Sequence, residues 1–170
     1  MHLNIEIKAR TNQHETIRQV LQSKSARFVG TDRQIDTYFR CENGRLKLRQ
    51  GNIEQSLIHY SRTDQAGPKA SHVSLFHPTD GSDALKAVLL AAYGIWKVVD
   101  KTREIYFVDN VKIHLDQVQG LGTFVEIEAI DTDGSIGEAT LRQQCAHFME
   151  LFEIKESDLL SQSYSDMVEG

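Results

Sequence analysis

Charged side chains of one sign recur at every second position along several short segments of this chain. The segment "GRLKLR" carries Arg45, Lys47 and Arg49, and the segment "FVEIEA" carries Glu126 and Glu128. A period of two residues is that of a β-strand, whose side chains point alternately to opposite faces of a sheet. Each of these segments therefore predicts a strand with a charged face and an apolar face.

Other segments repeat this pattern with both signs of charge. The N-terminal "LNIEIKAR" sets Asn4, Glu6, Lys8 and Arg10 against four apolar residues, "DKTRE" aligns Lys101 with Arg103, and "KIHLD" aligns Lys112, His114 and Asp116. Rows of Arg and Lys suit a polyphosphate, whose oxygens accept charge-assisted hydrogen bonds. Carboxylates such as Glu6, Glu126 and Glu128 suit a hard divalent cation. Together the two kinds of row predict a metal–polyphosphate ligand.

Two other interpretations account for charged strand faces. In a half-buried antiparallel sheet the polar face simply lies in water, which explains any single strand of this kind. Same-sign charges two residues apart are separated by about 7 Å, and they repel by roughly 2 kcal/mol where water is partly excluded. A solvated face usually mixes signs, so the sorted rows favour a lined interior. An ion-paired interior without a ligand is the remaining alternative, although buried ion pairs contribute little net stability.

The predicted elements are eight strands and three main helices. The strands lie near 3–10, 33–40, 44–50, 54–62, 71–77, 96–107, 111–118 and 123–131, and the helices at 12–26, 82–93 and 135–152, with a short fourth around 157–161. Asn12 and Ser82 are the expected N-caps. Short turns such as "ENG" and "DN" imply antiparallel neighbours.

These elements predict an α+β fold with a closed eight-stranded antiparallel β-barrel and covering helices. Closure removes the sheet edges. The helices need an apolar surface to cover, so we expect Ile5, Ile7, Leu46, Leu48, Val125 and Ile127 to face outward. The charged rows then face the lumen, and the barrel is a charged tunnel.

The composition of the chain argues against several classes of function. The chain has 170 residues, 40% of them hydrophobic, and a net charge of −5, which predicts one globular domain with no general attraction for nucleic acid. Cys41 and Cys145 lie far apart and show no metal-ligand spacing. No apolar run indicates secretion or membrane insertion, so we expect a cytoplasmic protein.

The ordered motifs closely resemble one protein family. The segments "NIEIKAR", "QIDTYF", "GRLKLR", "KTREIYFVDNVKIHLDQVQGLGTFVEIEA" and "SYSDM" are similar to those of the CYTH domain, the family of triphosphate tunnel metalloenzymes, from Leu3 to about Met167. The family includes class IV adenylate cyclases, thiamine triphosphatases and inorganic triphosphatases. The resemblance implies a single CYTH-like domain over 1–170, an eight-stranded tunnel, a triphosphate-containing small molecule as substrate, and Mg²⁺ or Mn²⁺ as cofactor. Family members often form dimers, so a homodimer is an expected assembly, with neither nucleic acid nor membrane as a partner.

The resemblance also implies roles for individual residues. Glu6, Glu126 and Glu128 correspond to metal ligands, with Asp116 as a helper, and Glu6, Lys8, Glu126 and Glu128 form the catalytic set. The implied phosphate cradle comprises Lys8, Arg10, Arg45, Lys47, Arg49, Arg62, Lys101 and Arg103. Tyr38 of "DTYF" either contacts substrate or belongs to the barrel wall. The chain has Asn4 where the family motif has its first Glu, so its metal site carries one anion fewer.

Three functions fit these motifs. The residues of these motifs are most similar to those of bacterial class IV adenylate cyclases, which convert ATP to cyclic AMP and pyrophosphate. A triphosphatase that hydrolyses inorganic triphosphate, thiamine triphosphate or a nucleoside triphosphate would use the same residues. A tunnel that binds a nucleotide or polyphosphate without turnover is the third interpretation, and Asn4 keeps it open.

Overall fold

A computed structural model describes residues 2–170 of the chain, and eight strands in it close into one antiparallel barrel. The strands are β1 (His2–Arg10), β2 (Arg27–Phe39), β3 (Arg45–Gly51), β4 (Gln55–Arg62), β5 (Lys69–Phe76), β6 (Ile95–Val108), β7 (Val111–Val118) and β8 (Gly122–Asp131). Their order around the barrel is β1-β5-β4-β3-β2-β6-β7-β8, and β8 pairs with β1 to close it. The predicted closed eight-stranded barrel is confirmed.

Four helices accompany the barrel: α1 (His14–Ser23), α2 (Ser82–Tyr93), α3 (Glu138–Leu151) and the short α4 (Tyr164–Met167). The predicted caps Asn12 and Ser82 are wrong, because Gln13 and Gly81 hold the N-cap positions without a side-chain hydrogen bond. The third helix begins three residues later than predicted, since the Asp131 carboxylate accepts from the backbone N–H groups of Gly134, Ile136 and Gly137 and so fixes a loop there. The predicted fourth helix is a 3-10 turn at Glu156–Asp158.

The apolar faces of the strands point outward and form the core. Ile5, Ile7, Val125 and Ile127 are fully buried in one cluster with Ile17 and Leu21 of α1 and with Leu141 and Cys145 of α3. On another side, Leu46 and Leu48 pack with Leu85 and Leu89 of α2. Burying a side chain of this size stabilises the fold by roughly 1.5–3 kcal/mol. The outward orientation predicted from sequence is therefore confirmed, and the alternate residues of each strand face the lumen.

The C-terminal segment after α3 closes one end of the barrel. Leu159 bridges to Ala9, and the backbone N–H of Leu160 donates to the Lys8 carbonyl. Farther along, Asp166 pairs with Arg45 at the start of β3, and the Val168 carbonyl accepts from Lys97 near the start of β6. These strand termini all lie at the same end because neighbouring strands are antiparallel. No helix in residues 2–170 has the length and apolar character needed to cross a membrane.

Shortening a side chain on the outward face of the barrel tests this packing. Ile127→Ala should lower the free energy of unfolding by about 2–5 kcal/mol, because the fully buried side chain leaves a cavity between the barrel and α3. The measurement is equilibrium unfolding in urea, with Val88→Ala as control, since Val88 on α2 is 65% exposed. Equal stability of the two variants would contradict the outward packing.

Candidate functional site

The lumen contains a cavity of about 360 Å³ that most of the predicted site residues line. This volume lies within the range of small-molecule sites, roughly 300–1,000 Å³. Of the predicted set, Glu6, Lys8, Tyr38, Lys47, Arg49, Arg62, Lys101, Arg103, Glu126 and Glu128 line the cavity. The alternating pattern of the strands thus brings residues from six strands to one space.

Two predicted phosphate ligands lie away from this cavity. Arg10 is exposed and donates to the Leu121 carbonyl at 3.1 Å. Arg45 pairs with Asp166 at 3.0 Å and stacks over Trp96, where it lines a separate cavity of about 80 Å³ at the closed end. Both residues lie at the ends of their strands, and their side chains are outside the lining of the main cavity.

Asp116 lies behind the cavity, outside its lining, in contact with Arg103 and Tyr164. Both of its oxygens accept from Arg103, at 2.7 and 2.6 Å, and one also accepts from the Tyr164 hydroxyl at 2.7 Å. Burial opposes its charged form, but the Arg103 guanidinium outweighs burial and lowers the pKa of Asp116. These contacts favour a role in positioning Arg103, and the metal role expected for Asp116 stays a prediction.

Carboxylates gather where β1 and β8 pair. Glu6 lies directly opposite Glu128 in the ladder, an arrangement that destabilises a sheet when both residues are charged. Burial, followed by the charge of Glu6, raises the pKa of Glu128 to about 6. Asn4 donates its amide N–H to Glu128, while its buried amide oxygen has no hydrogen-bond partner.

This donor set fits one divalent cation. Carboxylate and amide oxygens are the ligands of hard cations, and a cation would relieve the repulsion between Glu6 and Glu128 and satisfy the Asn4 oxygen. Glu6 contacts Arg62, and Glu126 accepts from Arg103 at 3.0 Å and lies 3.4 Å from Lys8. Within residues 2–170, no three His, Cys, Asp or Glu side chains already converge as a metal cage. Loading the cation therefore requires these carboxylates to exchange partners.

One buried carboxylate organises the cations of the opposite wall. Asp36 accepts two hydrogen bonds of 2.9 Å from Arg49 and one of 2.8 Å from Lys101, and it lies 3.2 Å from Lys47. Burial alone would raise the pKa of Asp36, but the charges of Arg49 and Lys101 hold it well below its usual value. The three cations are held in a fixed array whose free N–H groups can meet phosphate oxygens.

His114 is a hydrogen-bonded residue of the lumen. Its Nδ1 lies 3.2 Å from the Glu126 carboxylate, and burial, followed by the Arg103 charge, lowers the pKa of the imidazole to about 4. The ring is therefore neutral near pH 7, and Nδ1 carries the proton that it donates to Glu126. Tyr38 lines the cavity, and Lys47 donates to its hydroxyl at 3.3 Å.

Sequence reasoning missed two charged residues, one in the cavity lining and one outside it beside Glu6. Glu54, in the turn between β3 and β4, accepts from Arg49 at 3.2 Å and from Lys112 of β7. Glu54 is the first residue of the strand predicted at 54–62 and has the parity of Arg62, and that parity is the sequence signal that could have found it. Lys69 lies opposite Glu6 in the β1–β5 ladder and donates to the Ser161 carbonyl at 2.8 Å. The predicted β5 began two residues too late to include it.

Comparison with known proteins agrees with this geometry. The model of the CYTH domain family matches residues 2–164. The chain belongs to the CYTH domain family. An adenylate cyclase CyaB of Aeromonas hydrophila is 28% identical over 103 residues, which cover 61% of this chain and only 53% of that protein, about half of its length.

Solved structures share the fold of this CYTH domain. A protein of Pyrococcus horikoshii superposes with a TM-score of 0.79 at 23% identity, over 99% of this chain and 100% of the other. A candidate adenylate cyclase of Vibrio parahaemolyticus gives a TM-score of 0.76 at 20% identity, with 97% of each chain covered. A Hippeastrum protein described as a candidate adenylyl cyclase with a dominant triphosphatase activity gives 0.62 at 16% identity, over 98% and 93% of the two chains.

The raised pKa of Glu128 predicts how metal binding depends on pH. Because this pKa is about 6 in the folded protein, protons should compete with Mn²⁺ for Glu128 below that pH. The apparent Mn²⁺ affinity should then fall about tenfold per pH unit below about pH 6. Titration followed by electron paramagnetic resonance measures it. An affinity that stays constant down to about pH 5 would contradict the assignment.

A substitution separates the two roles considered for Asp116. Asp116→Asn should weaken tripolyphosphate binding about tenfold, because Arg103 loses the partner that orients it. Its Mn²⁺ affinity without substrate should stay within about twofold of the wild type. Calorimetric titration of each ligand measures both. A loss of Mn²⁺ affinity equal to that of Glu128→Gln would show that Asp116 is a metal ligand.

Proposed function

We propose that this CYTH domain binds a triphosphate compound with Mg²⁺ or Mn²⁺ in its lumen and catalyses phosphoryl chemistry on it. The activity proposed first is that of a class IV adenylate cyclase, which forms cyclic AMP and pyrophosphate from ATP. The observation that carries the proposal is the cavity itself, in which Glu6, Glu128 and the unpartnered Asn4 oxygen lie beside buried Lys and Arg side chains. Few ligands other than a metal–polyphosphate match both halves of this lining.

The residues of the lumen bind and orient the phosphates. Lys8 lies 3.4 Å from Glu126 and 3.8 Å from the centre of the Tyr164 ring. A phosphate oxygen would replace Glu126 as the partner of Lys8 and would replace Glu6 as the partner of Arg62. The released carboxylates would then be free to hold the cation together with Glu128. A bound Mg²⁺ or Mn²⁺ would neutralise charge on the phosphate oxygens.

The same cations serve either reaction. In cyclisation the ribose 3′-oxygen forms a bond to the α-phosphorus, the bond from that phosphorus to the β-bridging oxygen breaks, and pyrophosphate leaves. In hydrolysis a water oxygen forms the bond to a phosphorus atom instead, the bond from that phosphorus to its bridging oxygen breaks, the remaining phosphate leaves, and the proton of the water passes to the leaving oxygen or to solvent. Charge develops on the leaving group in both cases, and Lys47, Arg62 and Lys101 are placed to stabilise it.

Cyclase activity is proposed first for two reasons. The motif residues resemble those of class IV adenylate cyclases, and the Aeromonas relative is named an adenylate cyclase. Triphosphatase activity is the second candidate, since the Hippeastrum protein of the same fold is described with a dominant triphosphatase activity. Binding without turnover is the third, because Asn4 removes one anion from the metal site.

A product assay separates these three functions. The protein is incubated with ATP, inorganic triphosphate or thiamine triphosphate, each with Mg²⁺ or Mn²⁺. Cyclic AMP with pyrophosphate identifies a cyclase, and release of inorganic phosphate identifies a triphosphatase. Tight binding without any product identifies a binding module.

Two substitutions test the residues assigned to the reaction. Glu126→Gln should reduce turnover by at least about 100-fold, because the site loses a metal ligand. Lys8→Ala should weaken triphosphate binding about tenfold with the fold intact. The measurements are steady-state kinetics and calorimetry. The control is Arg18→Ala, which removes an ion pair on the outer surface between α1 and β6.

Undiminished turnover in Glu126→Gln would show that Glu126 is not a metal ligand. An unchanged dissociation constant in Lys8→Ala would contradict the placement of the phosphates in the lumen.

A further inference from the structure

The C-terminal segment contributes a tyrosine to the lining of the lumen. Tyr164 is the first residue of α4, within the "SYSDM" motif, and its side chain is buried. It lines the cavity together with the preceding Ser163. Its ring packs against Phe124 of β8, and the two ring centres lie 5.0 Å apart. A residue that follows all eight strands in the chain therefore completes the interior that they enclose.

The ring of Tyr164 lies beside two cations of the lumen. Nζ of Lys8 is 3.8 Å from the centre of the ring, and Nζ of Lys101 is 5.9 Å from it. Both distances lie within the roughly 6 Å over which an aromatic face attracts a cation. The ring attracts an ammonium group without neutralising its charge, so the N–H groups of Lys8 stay available to a phosphate oxygen. A carboxylate in the same place would compete with the phosphate for them.

The hydroxyl of Tyr164 reaches a third cation through a carboxylate. It donates to Oδ2 of Asp116 at 2.7 Å, and the same oxygen accepts from Nη2 of Arg103 at 2.6 Å. The other oxygen of Asp116 accepts from Nε of Arg103 at 2.7 Å. These three hydrogen bonds fix the plane of the carboxylate and with it the plane of the guanidinium. Because a guanidinium presents its N–H groups in fixed directions, its orientation decides which phosphate oxygens it can meet.

The barrel holds Tyr164 in place from the ends of two strands. Asp166, in the same short helix, pairs with Arg45 at the start of β3 at 3.0 Å. The carbonyl of Val168 accepts from Lys97 near the start of β6, also at 3.0 Å. A side chain that is fixed before binding loses little conformational entropy when the ligand arrives.

We propose that Tyr164 is a positioning residue of the phosphate site, which orients Lys8 through its ring and Arg103 through Asp116. This inference rests on the proposed function, because it requires the phosphates to occupy the lumen. Tyr164 acts through these neighbours and need not touch the substrate itself. The C-terminal motif then completes the phosphate site in addition to closing the barrel.

Packing alone is the competing explanation for Tyr164. The residue belongs to a buried cluster with Tyr38, Val99 and Phe124, so its loss would lower stability in either case. The two explanations differ in the binding properties that they predict. A packing role predicts a loss of stability alone, whereas a positioning role predicts a selective loss of affinity for phosphates.

Two substitutions separate the ring from the hydroxyl. Tyr164→Phe keeps the ring beneath Lys8 and should weaken tripolyphosphate binding about fivefold, and Tyr164→Leu removes both contacts and should weaken it about 30-fold. The Mn²⁺ affinity without phosphate should stay within about twofold of the wild type in both variants. Calorimetric titration measures each constant, and thermal unfolding measures stability. The matched control is Phe148→Leu, which shortens a buried side chain of α3 outside the cavity lining.

A double-mutant cycle tests the path from the hydroxyl to Arg103. If the hydroxyl acts through Asp116, Tyr164→Phe should cost nothing further once Asp116→Asn is present, and the double variant should bind tripolyphosphate within about twofold of Asp116→Asn alone. Independent effects would multiply instead, to about 50-fold. A packing role predicts the multiplied loss.

The outcomes decide between the two roles. Weaker tripolyphosphate binding in both Tyr164 variants, with Mn²⁺ affinity kept and a non-multiplying cycle, supports positioning. An unchanged tripolyphosphate affinity in Tyr164→Phe, a multiplied loss in the cycle, or an equal loss in Phe148→Leu would overturn it and leave the lumen site intact. Tyr164→Phe keeps the packing of the ring, so it gives an answer even if Tyr164→Leu does not fold. If the wild-type protein binds no tripolyphosphate, the proposed function fails and this inference fails with it.

Discussion

The charges inside the barrel must neutralise one another, because little water reaches them. A buried charge that loses its partner costs about 3–5 kcal/mol, so each lumen cation needs an anion nearby. Asp36 meets this need for Arg49, Lys47 and Lys101, and Asp116 meets it for Arg103. Since the polar positions of each strand are used in this way, the apolar positions face outward. The helices pack on the outward face because its apolar side chains must be covered from water.

The same need for charge neutralisation identifies the part of the lumen where two like charges face each other. Each cation around Asp36 has that carboxylate within 3.2 Å, whereas Glu6 and Glu128 lie opposite each other with like charge. The raised pKa of Glu128 and the unpartnered Asn4 oxygen mark the same location. A barrel built only for stability would have no reason to oppose two carboxylates. The imbalance is relieved by a cation, which in turn attracts phosphate oxygens to the neighbouring Lys and Arg side chains.

Much of this arrangement was predictable from the sequence because strand parity is a strict rule. Two-residue alternation assigned Glu6, Lys8, Glu126 and Glu128 to one face, and the same-sign rows indicated that this face is the interior. Parity does not report the depth of a residue along the barrel, and Arg10 and Arg45, at the ends of β1 and β3, lie away from the main cavity. It also does not report cross-strand register, and the register places Asp116 directly opposite Arg103, where it supports that residue.

Features set by turns and distant segments were beyond sequence reasoning. Glu54 enters the lumen because Asp32 pins the β3–β4 turn, and Lys69 is fixed by a carbonyl of the C-terminal segment. Neither contact has a local signature, since each joins residues more than 20 positions apart. The helix caps were predicted from side-chain preference, but Gln13 and Gly81 hold the N-cap positions, and the Ser82 hydroxyl accepts a hydrogen bond from Gln50 instead.

The most direct test of the account is the location of Mn²⁺ in crystals grown with Mn²⁺ and a non-hydrolysable triphosphate. The anomalous signal of the metal should lie in the lumen between Glu6 and Glu128, with phosphate density against Lys8 and Arg62. Metal and phosphate bound outside the barrel, with the lumen ion pairs unchanged, would contradict the central claim that the charged interior is a binding site.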